Sequence, residues 1–422
     1  MSGALASPHP AAEPSLAAVL DAHAIHSVYQ PVVDLYRGET VAYEALARGP
    51  AGSALDRPDR LFEAARFAAL EAEVEWECQL AALEGVLESG LRPGQALFVN
   101  LESKLLGATR PARLAELMDR ALDRFPVFVE LTERALASRP AHLLAAVRGL
   151  RRLGVGVALD DVGADPRSVA LMPFLEPDLI KLDISVVQGD PAGAAAETLH
   201  AVGAEAERTG ALIVAEGIET DAHLRTALAL GARYGQGWMF GSPQALPAGV
   251  AVGLEDRLPA PRDPDRDGLA SPFEIVARHR PIRRADKRLM LALSREIEAS
   301  AGGLGPAAVI MSSFQANQCF SPATAATYAR LADGASLVAA LAAELASRPV
   351  RGVHGAGLRP EDPVRSEWDV TLLGPHSAIA LVARDLGDGG SDMDRRFDFA
   401  VTHDRTLVIA AAHALMGRLA GA

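Results

Sequence analysis

Ahead of residue 256, short apolar runs alternate with longer stretches of helical period. This alternation constrains the fold more than anything else in the 422 residues. The runs that read as strands are Val28–Leu35, Thr40–Leu46, Ala96–Asn100, Val127–Leu131, Val155–Leu159, Leu179–Leu182, Leu212–Ala215 and the weaker Gly235–Phe240. Between them, Arg60–Ser89, Pro111–Arg124, Pro140–Leu153, Ala192–Thr209 and Ala222–Leu230 carry apolar residues at helical spacing. Strand then helix, about eight times in roughly 240 residues, predicts an α/β fold of the (βα)8, TIM-like barrel type. A doubly wound open sheet is the alternative, but no Gly-rich fingerprint follows the first strand.

The segment 256–272 holds four prolines and seven charges without apolar periodicity, which predicts a linker. The expected organisation is a flexible Ala- and Pro-rich N-terminus (1–14), a barrel (15–255), the linker (256–272) and a smaller α/β domain (273–422). In that last unit Ala307–Phe314, Trp368–Leu373 and Ala378–Ala383 read as strands. Leu289–Ala299, Pro322–Leu331, Ala335–Ala346 and Leu407–Leu419 read as helices. No apolar run reaches the roughly 18 residues of a membrane span. No basic segment precedes an apolar stretch at the N-terminus, so no secretory signal is expected. Two distant cysteines, Cys78 and Cys319, exclude a disulfide framework and fit a reducing cytoplasm. A net charge of −13 argues against a surface that coats DNA or RNA.

Polar residues gather where the strands end. Glu44 follows VAY, Asn100 follows ALFV, Glu130 follows VFV, and Asp160 and Asp161 follow VGVAL. Lys181 and Asp183 bracket the end of DLIKLD, and Glu216 follows LIVA. In a barrel the C-terminal ends of the strands converge on one face, where such folds place their chemistry. Any one of these residues alone reads as a strand terminus or helix cap, but the run of them along successive strands does not.

Carboxylates packed this closely repel and need cations to stay ionised. Carboxylate, carboxamide and water are the ligands of Mg²⁺ and Mn²⁺. The adjacent Asp160 and Asp161 suit a two-metal site, in which paired ions clamp the attacking and leaving oxygens of a phosphoryl displacement. Metals would also let an acidic protein meet an anionic phosphodiester. Only three of the 41 basic residues are lysine, so Lys181 among these acids stands out. It reads as a group that holds or deprotonates the attacking water, or else as a salt bridge to Asp183 or Asp160. Glu130 with Glu133, and Glu216 with Glu219, recur at i,i+3, which puts both carboxylates on one side of a turn.

YQPVVDL (29–35), YEALAR (43–48), FVNLES (98–103), ELTE (130–133), ALDDVG (158–163), IKLD (180–183), AEGIET (215–220) and GQGWMFGSP (235–243) resemble, in order and spacing, the motif series of EAL domains. The resemblance covers about residues 15–250. It implies a barrel phosphodiesterase that linearises cyclic di-GMP to pGpG with two Mg²⁺ or Mn²⁺ ions. Carried over by motif, Glu44, Asn100, Glu130 and Asp160 hold one metal, and Asp160, Asp161 and Glu216 the second. Lys181 and Glu216 position and activate the water, with the base unassigned between them. Gln30, Arg48, Asp183 and Gln236 contact the nucleotide, and Glu133 and Glu219 support the loop and the outer shell. A homodimer through the barrel is a further implication.

One stretch departs from the family. Active members usually continue the double aspartate as Asp-Asp-Phe-Gly-Thr/Ser-Gly, whereas DDVGAD places Val162, Ala164 and Asp165 at the varied positions. Loss of a hydroxyl and a glycine alters capping and backbone freedom. The alternative function is therefore a weak or inactive cyclic di-GMP receptor that signals through the second domain or a partner protein. No cyclase signature accompanies the motifs.

In the second unit, FQANQCFSPATAATYARLA (314–332), EWDV (367–370), ALVARD (380–385) and DRRFDFAVTHDR (394–405) resemble the DICT sensory domain. Its ligand or partner is not implied. Cys319 reads as a small core residue, Phe314, Trp368 and Phe397 as core aromatics, and DRRFDF as a salt-bridged strand or loop.

Overall fold

The computed structural model describes residues 14–419, except 90, 93, 102–109, 133–139, 165, 190–193, 247–257, 259–269 and 389–390. Nearly all of the expected linker and N-terminal tail thus lie outside the described residues. The linker's last residues do not: Ser271 and Glu274 form a reciprocal capping box that starts the helix Pro272–Ala277.

Eight strands close into a barrel in chain order: β1 (His26–Asp34), β2 (Thr40–Arg48), β3 (Ala96–Asn100), β4 (Val127–Thr132), β5 (Gly156–Val162), β6 (Leu179–Leu182), β7 (Leu212–Ala215) and β8 (Tyr234–Gln236). The ladders from β2 to β8 are parallel, while β1 runs antiparallel to both β2 and β8. The antiparallel entry follows from chain length: only five residues join β1 to β2, enough for a hairpin but not for a helical crossover.

Side chains alternate in and out along each strand. One inward layer packs Val32, Ala42, Phe98, Phe128, Ala158, Leu179, Val214 and Tyr234 into a single cluster. Phe98 and Phe128 meet edge to face at 5.5 Å. Gly156 makes room for them, since a Cβ there would lie 2.2 Å from the Phe128 ring. The helices cover the outside through a second, larger core.

Beyond the barrel lies a separate seven-stranded sheet, ordered β12-β11-β10-β13-β14-β15-β9. Its strands are β9 (Arg283–Asp286), β10 (Val309–Ala316), β11 (Leu337–Ala343), β12 (His354–Gly357), β13 (Glu367–Leu373), β14 (Ala378–Asp385) and β15 (Arg396–Thr402). Alternation again sorts the faces. Ile310, Phe314, Val338 and Ala340 point to one side, with residues of the helices Lys287–Leu304 and Pro322–Ala332. Val309, Met311, Leu337 and Ala339 point to the other, with the last helix, Arg405–Leu419, in a core continuous with the barrel's outer shell.

Two sequence expectations fail here. Ala335–Ala346 reads as a helix from its alanines, yet LVAALAA is β11, buried at every residue between two parallel neighbours. A strand covered on both faces reads as a continuous apolar run, and tertiary burial overrides alanine's helix preference. Arg60–Ser89 is two helices, Pro58–Ala68 and Glu71–Ser89, parted by Ala69 in the left-handed conformation (φ 56°). The DRRFDF run, which enters β15, is salt-bridged as expected: Arg284 on β9 holds Asp398 on β15 at 2.8 Å.

Candidate active site

Two residues past the interior plug on β2 to β8, alternation returns each side chain to the inside. Those positions are Glu44, Asn100, Glu130, Asp160, Lys181, Glu216 and Gln236. On the reversed β1 the matching position is Gln30, paired in register with Glu44. The barrel therefore presents one polar residue from every strand as a single layer at the C-terminal ends of its parallel strands.

Lys181 sits at the centre, 1% exposed. Its Nζ lies 2.6 Å from Glu130 Oε1, 2.6 Å from Glu216 Oε1, 3.0 Å from Asp160 Oδ1 and 3.5 Å from Glu44 Oε2. Four carboxylates share one ammonium. Burial acts to lower the Lys181 pKa, but the charges of Asp160, Glu130, Glu216 and Glu44 outweigh it and hold the ammonium well above its usual range. Burial, then Glu44, pushes the Glu130 carboxyl far up. Burial likewise raises Glu216, against the pull of Lys181, to about 8.

The amides knit the acids in place. Gln236 Nε2 donates to Glu44 Oε2 at 2.6 Å and to Gln30 Oε1 at 2.9 Å. Asn100 Nδ2 donates to Glu44 Oε1 at 3.3 Å, and Gln30 Nε2 to the Gly241 carbonyl at 3.3 Å. Gln79, which the sequence reading passes over, donates to the Asn100 carbonyl at 3.2 Å. Nothing in the mixed acidic and apolar stretch EWECQL marks this glutamine, and only the fold shows it buried.

Between Leu159 and Val162 the β5–β6 register slips, and Asp161 takes φ 58°. Such a bulge re-aims side chains next to a site. Here it brings oxygens of Asp160, Asp161 and Glu216 within 4.8 Å of one another. The donors are all oxygen, and Glu130 Oε2 is buried without a hydrogen-bond partner among the described residues. That set fits a hard divalent cation.

Other expected site residues stand apart from this layer. Asp183 Oδ1 caps the helix Ile184–Gln188 through Ser185 N and Oγ, so Lys181 pairs with Asp160 rather than with Asp183. Arg48 closes β2 and donates to the Ala47 carbonyl at 2.7 Å. Glu219 is exposed, its backbone N–H donating to His223 Nδ1. Glu133 and Asp165 lie outside the described residues. Among the described residues, no helix is long and apolar enough to cross a membrane.

The sequence profile of the EAL domain matches residues 15–243, more than half of the chain. The chain belongs to the EAL domain family. Residues 274–386 match the profile of DICT, the sensory domain in diguanylate cyclases and two-component systems. The EAL region is similar to the probable cyclic di-GMP phosphodiesterase PdeB of Escherichia coli, 33% identical over 229 residues, 52% of this chain and 42% of the relative. It is also similar to the cyclic di-GMP phosphodiesterase RocR of Pseudomonas aeruginosa, 30% identical over 246 residues, 54% of this chain and 61% of the relative. The chain thus spans less than two thirds of either relative. Among solved structures, the PaMucR phosphodiesterase in complex with c-di-GMP aligns with 25% identity and a TM-score of 0.47, over 55% of this chain and 96% of that one.

Proposed function

We propose that the EAL barrel is a metal-dependent phosphodiesterase that opens cyclic di-GMP to linear pGpG, under the control of the C-terminal sensory domain. The observation that carries this reading is the buried Lys181 ammonium held at 2.6 Å by Glu130 and Glu216, beside the oxygen trio of Asp160, Asp161 and Glu216.

Glu44, Asn100, Glu130 and Asp160 would hold one Mg²⁺ or Mn²⁺, and Asp160, Asp161 and Glu216 a second. Ions held there supply Lewis-acid stabilisation of charge on the phosphoryl oxygens. The chain's residues do the rest. Lys181, too buried to leave the layer, fixes the Glu216 and Asp160 carboxylates and orients a water hydrogen-bonded to it. Glu216, held 2.6 Å from the Lys181 ammonium, is placed to fix that water and to accept its proton. Gln236 and Gln30, joined to Glu44, form a neutral wall against which the nucleotide rests, and Arg48 supplies a cation for a phosphate. Asp183 acts through the helix it caps.

The test is full-length protein with cyclic di-GMP in Mn²⁺, Mg²⁺ or Ca²⁺, Glu44→Ala as the blank, and products separated by chromatography. The expected result is pGpG in Mn²⁺ or Mg²⁺, absent from the variant. Stoichiometric binding of intact cyclic di-GMP would instead make the barrel a receptor, the outcome that the altered DDVGAD loop favours.

A further inference from the structure

A cavity in the second domain is lined by none of the barrel-site residues. It encloses about 1060 Å³ over the sheet of the sensory domain. One wall is the helix Lys287–Leu304, which turns Leu291, Ser294, Arg295 and Glu298 inward at helical spacing. The facing wall is the helix Pro322–Ala332, through Thr324, Thr327, Arg330 and Leu331. Phe314 of β10 and Trp368 of β13 form the floor.

Three features say what such a space would take. The first is aromatic: Phe314 is locked edge to face against Phe320 at 5.3 Å and Tyr328 at 5.8 Å, while Trp368 is only half-buried. A flat ring can rest on that floor without moving it. The second is an unmet hydrogen bond. Ser294 is 4% exposed, yet its hydroxyl has no partner among the described residues. Buried hydroxyls are normally satisfied, so one facing a cavity points to a ligand atom or water.

The third is charge. Lys287 is matched by Asp392 at 2.6 Å, and Arg395 by Asp385 and by Gln315 at 2.8 Å. Two guanidiniums remain, Arg295 and Arg330, both exposed at the mouth, against the single Glu298 carboxylate. Arg330 donates to the neutral Thr327 hydroxyl at 3.2 Å. Burial raises the Glu298 pKa, against the Tyr328 hydroxyl, which donates to it at 3.2 Å, and the Arg295 charge, so one carboxylate faces two guanidiniums. The rim is therefore cationic over an aromatic floor, in a volume typical of small-molecule sites.

We infer that this cavity binds a small aromatic anion, its ring on Phe314 and Trp368, a polar atom on Ser294 Oγ, and its carboxylate, sulfonate or phosphate toward Arg295 and Arg330. The inference concerns a different domain from the barrel chemistry and stands whether or not that chemistry occurs.

The experiment uses the full chain and 8-anilinonaphthalene-1-sulfonate as the probe, titrated by fluorescence. Saturable binding of one probe per chain is expected. The double variant Arg295→Gln/Arg330→Gln, confined to exposed positions, should weaken it at least tenfold. Ser294→Leu, shown folded by circular dichroism, should weaken it at least tenfold by removing the hydroxyl and crowding the wall beside the aromatic floor. The uncharged N-phenyl-1-naphthylamine should bind at least tenfold more weakly than the sulfonate and ignore the arginine changes. Binding that is not saturable, or that survives both variants, overturns the site; equal affinity for the two probes overturns the anion.

Discussion

Lys181 Nζ and Glu130 Oε1 lie 2.6 Å apart and both residues are 1% exposed, so neither group can trade its partner for water. Removing one member of such a pair leaves the other uncompensated, at a cost of about 3–5 kcal/mol. Lys181→Met is expected to lower the melting temperature sharply as well as abolish turnover. Glu216→Gln, at the more exposed end of the cluster, should abolish turnover with a much smaller thermal shift. Paired thermal denaturation and product assays decide this, and equal thermal shifts would refute the central role of Lys181.

Asp161 combines two demands on one residue, a left-handed φ of 58° and a carboxylate within the oxygen trio. The conformation costs an ordinary L-residue about 1–2 kcal/mol, which glycine escapes. Asp161→Gly should therefore be at least as stable as Asp161→Ala, by about 1 kcal/mol, while both lose metal-dependent turnover equally. Chemical denaturation ranks the two variants; a more stable alanine variant would show that the bulge imposes no strain.

The barrel and its polar layer were legible because both rest on period. Strand runs carry their two-residue alternation in sequence, and each carboxylate or amide ends an apolar run. The reversed β1 left no trace in the hydrophobic pattern, which is blind to direction; only the short connection to β2 marks it. Ala335–Ala346 misled because a doubly covered strand and a buried helix show the same apolar run, and alanine tips the reading toward helix. Ser294 was invisible for another reason: one serine on an amphipathic helix acquires meaning only when a second helix, 30 residues on, leaves space opposite it.

The DDVGAD loop can be dissected, because its altered positions differ in burial. Val162 is 0% exposed in the packed outer core, whereas Ala164 is exposed. Val162→Phe alone forces a ring into filled space and should cost about 1–3 kcal/mol. Ala164→Ser should stay within about 0.5 kcal/mol of the parent. Any gain in pGpG formation from restoring the family's loop is thus expected first with Ala164→Ser. A Val162→Phe variant as stable as the parent would show that the loop repacks freely.

Asp369 gives the sensory domain a pH response of definite sign. The residue is fully buried beside Glu367, Ser313 Oγ donates to its Oδ2 at 2.7 Å, and Arg418 of the last helix opposes from further off. Glu367 is itself engaged by Arg384 at 2.9 Å and Ser271 at 2.6 Å. Burial, then the Glu367 charge, holds the Asp369 carboxyl well above its ordinary 3.8. The native state therefore keeps a proton that the unfolded chain gives up once pH passes that ordinary value. Above it the unfolded state binds fewer protons than the native one, so stability falls as pH rises, until Asp369 ionises in the fold as well. Asp369→Asn retains the shape and the Ser313 contact without the titration. Its urea midpoint should change less than the parent's between about pH 5 and pH 8, with the variant's advantage growing toward the alkaline end. Parallel curves for the two proteins would mean that Asp369 ionises in the folded state no less readily than in the unfolded chain.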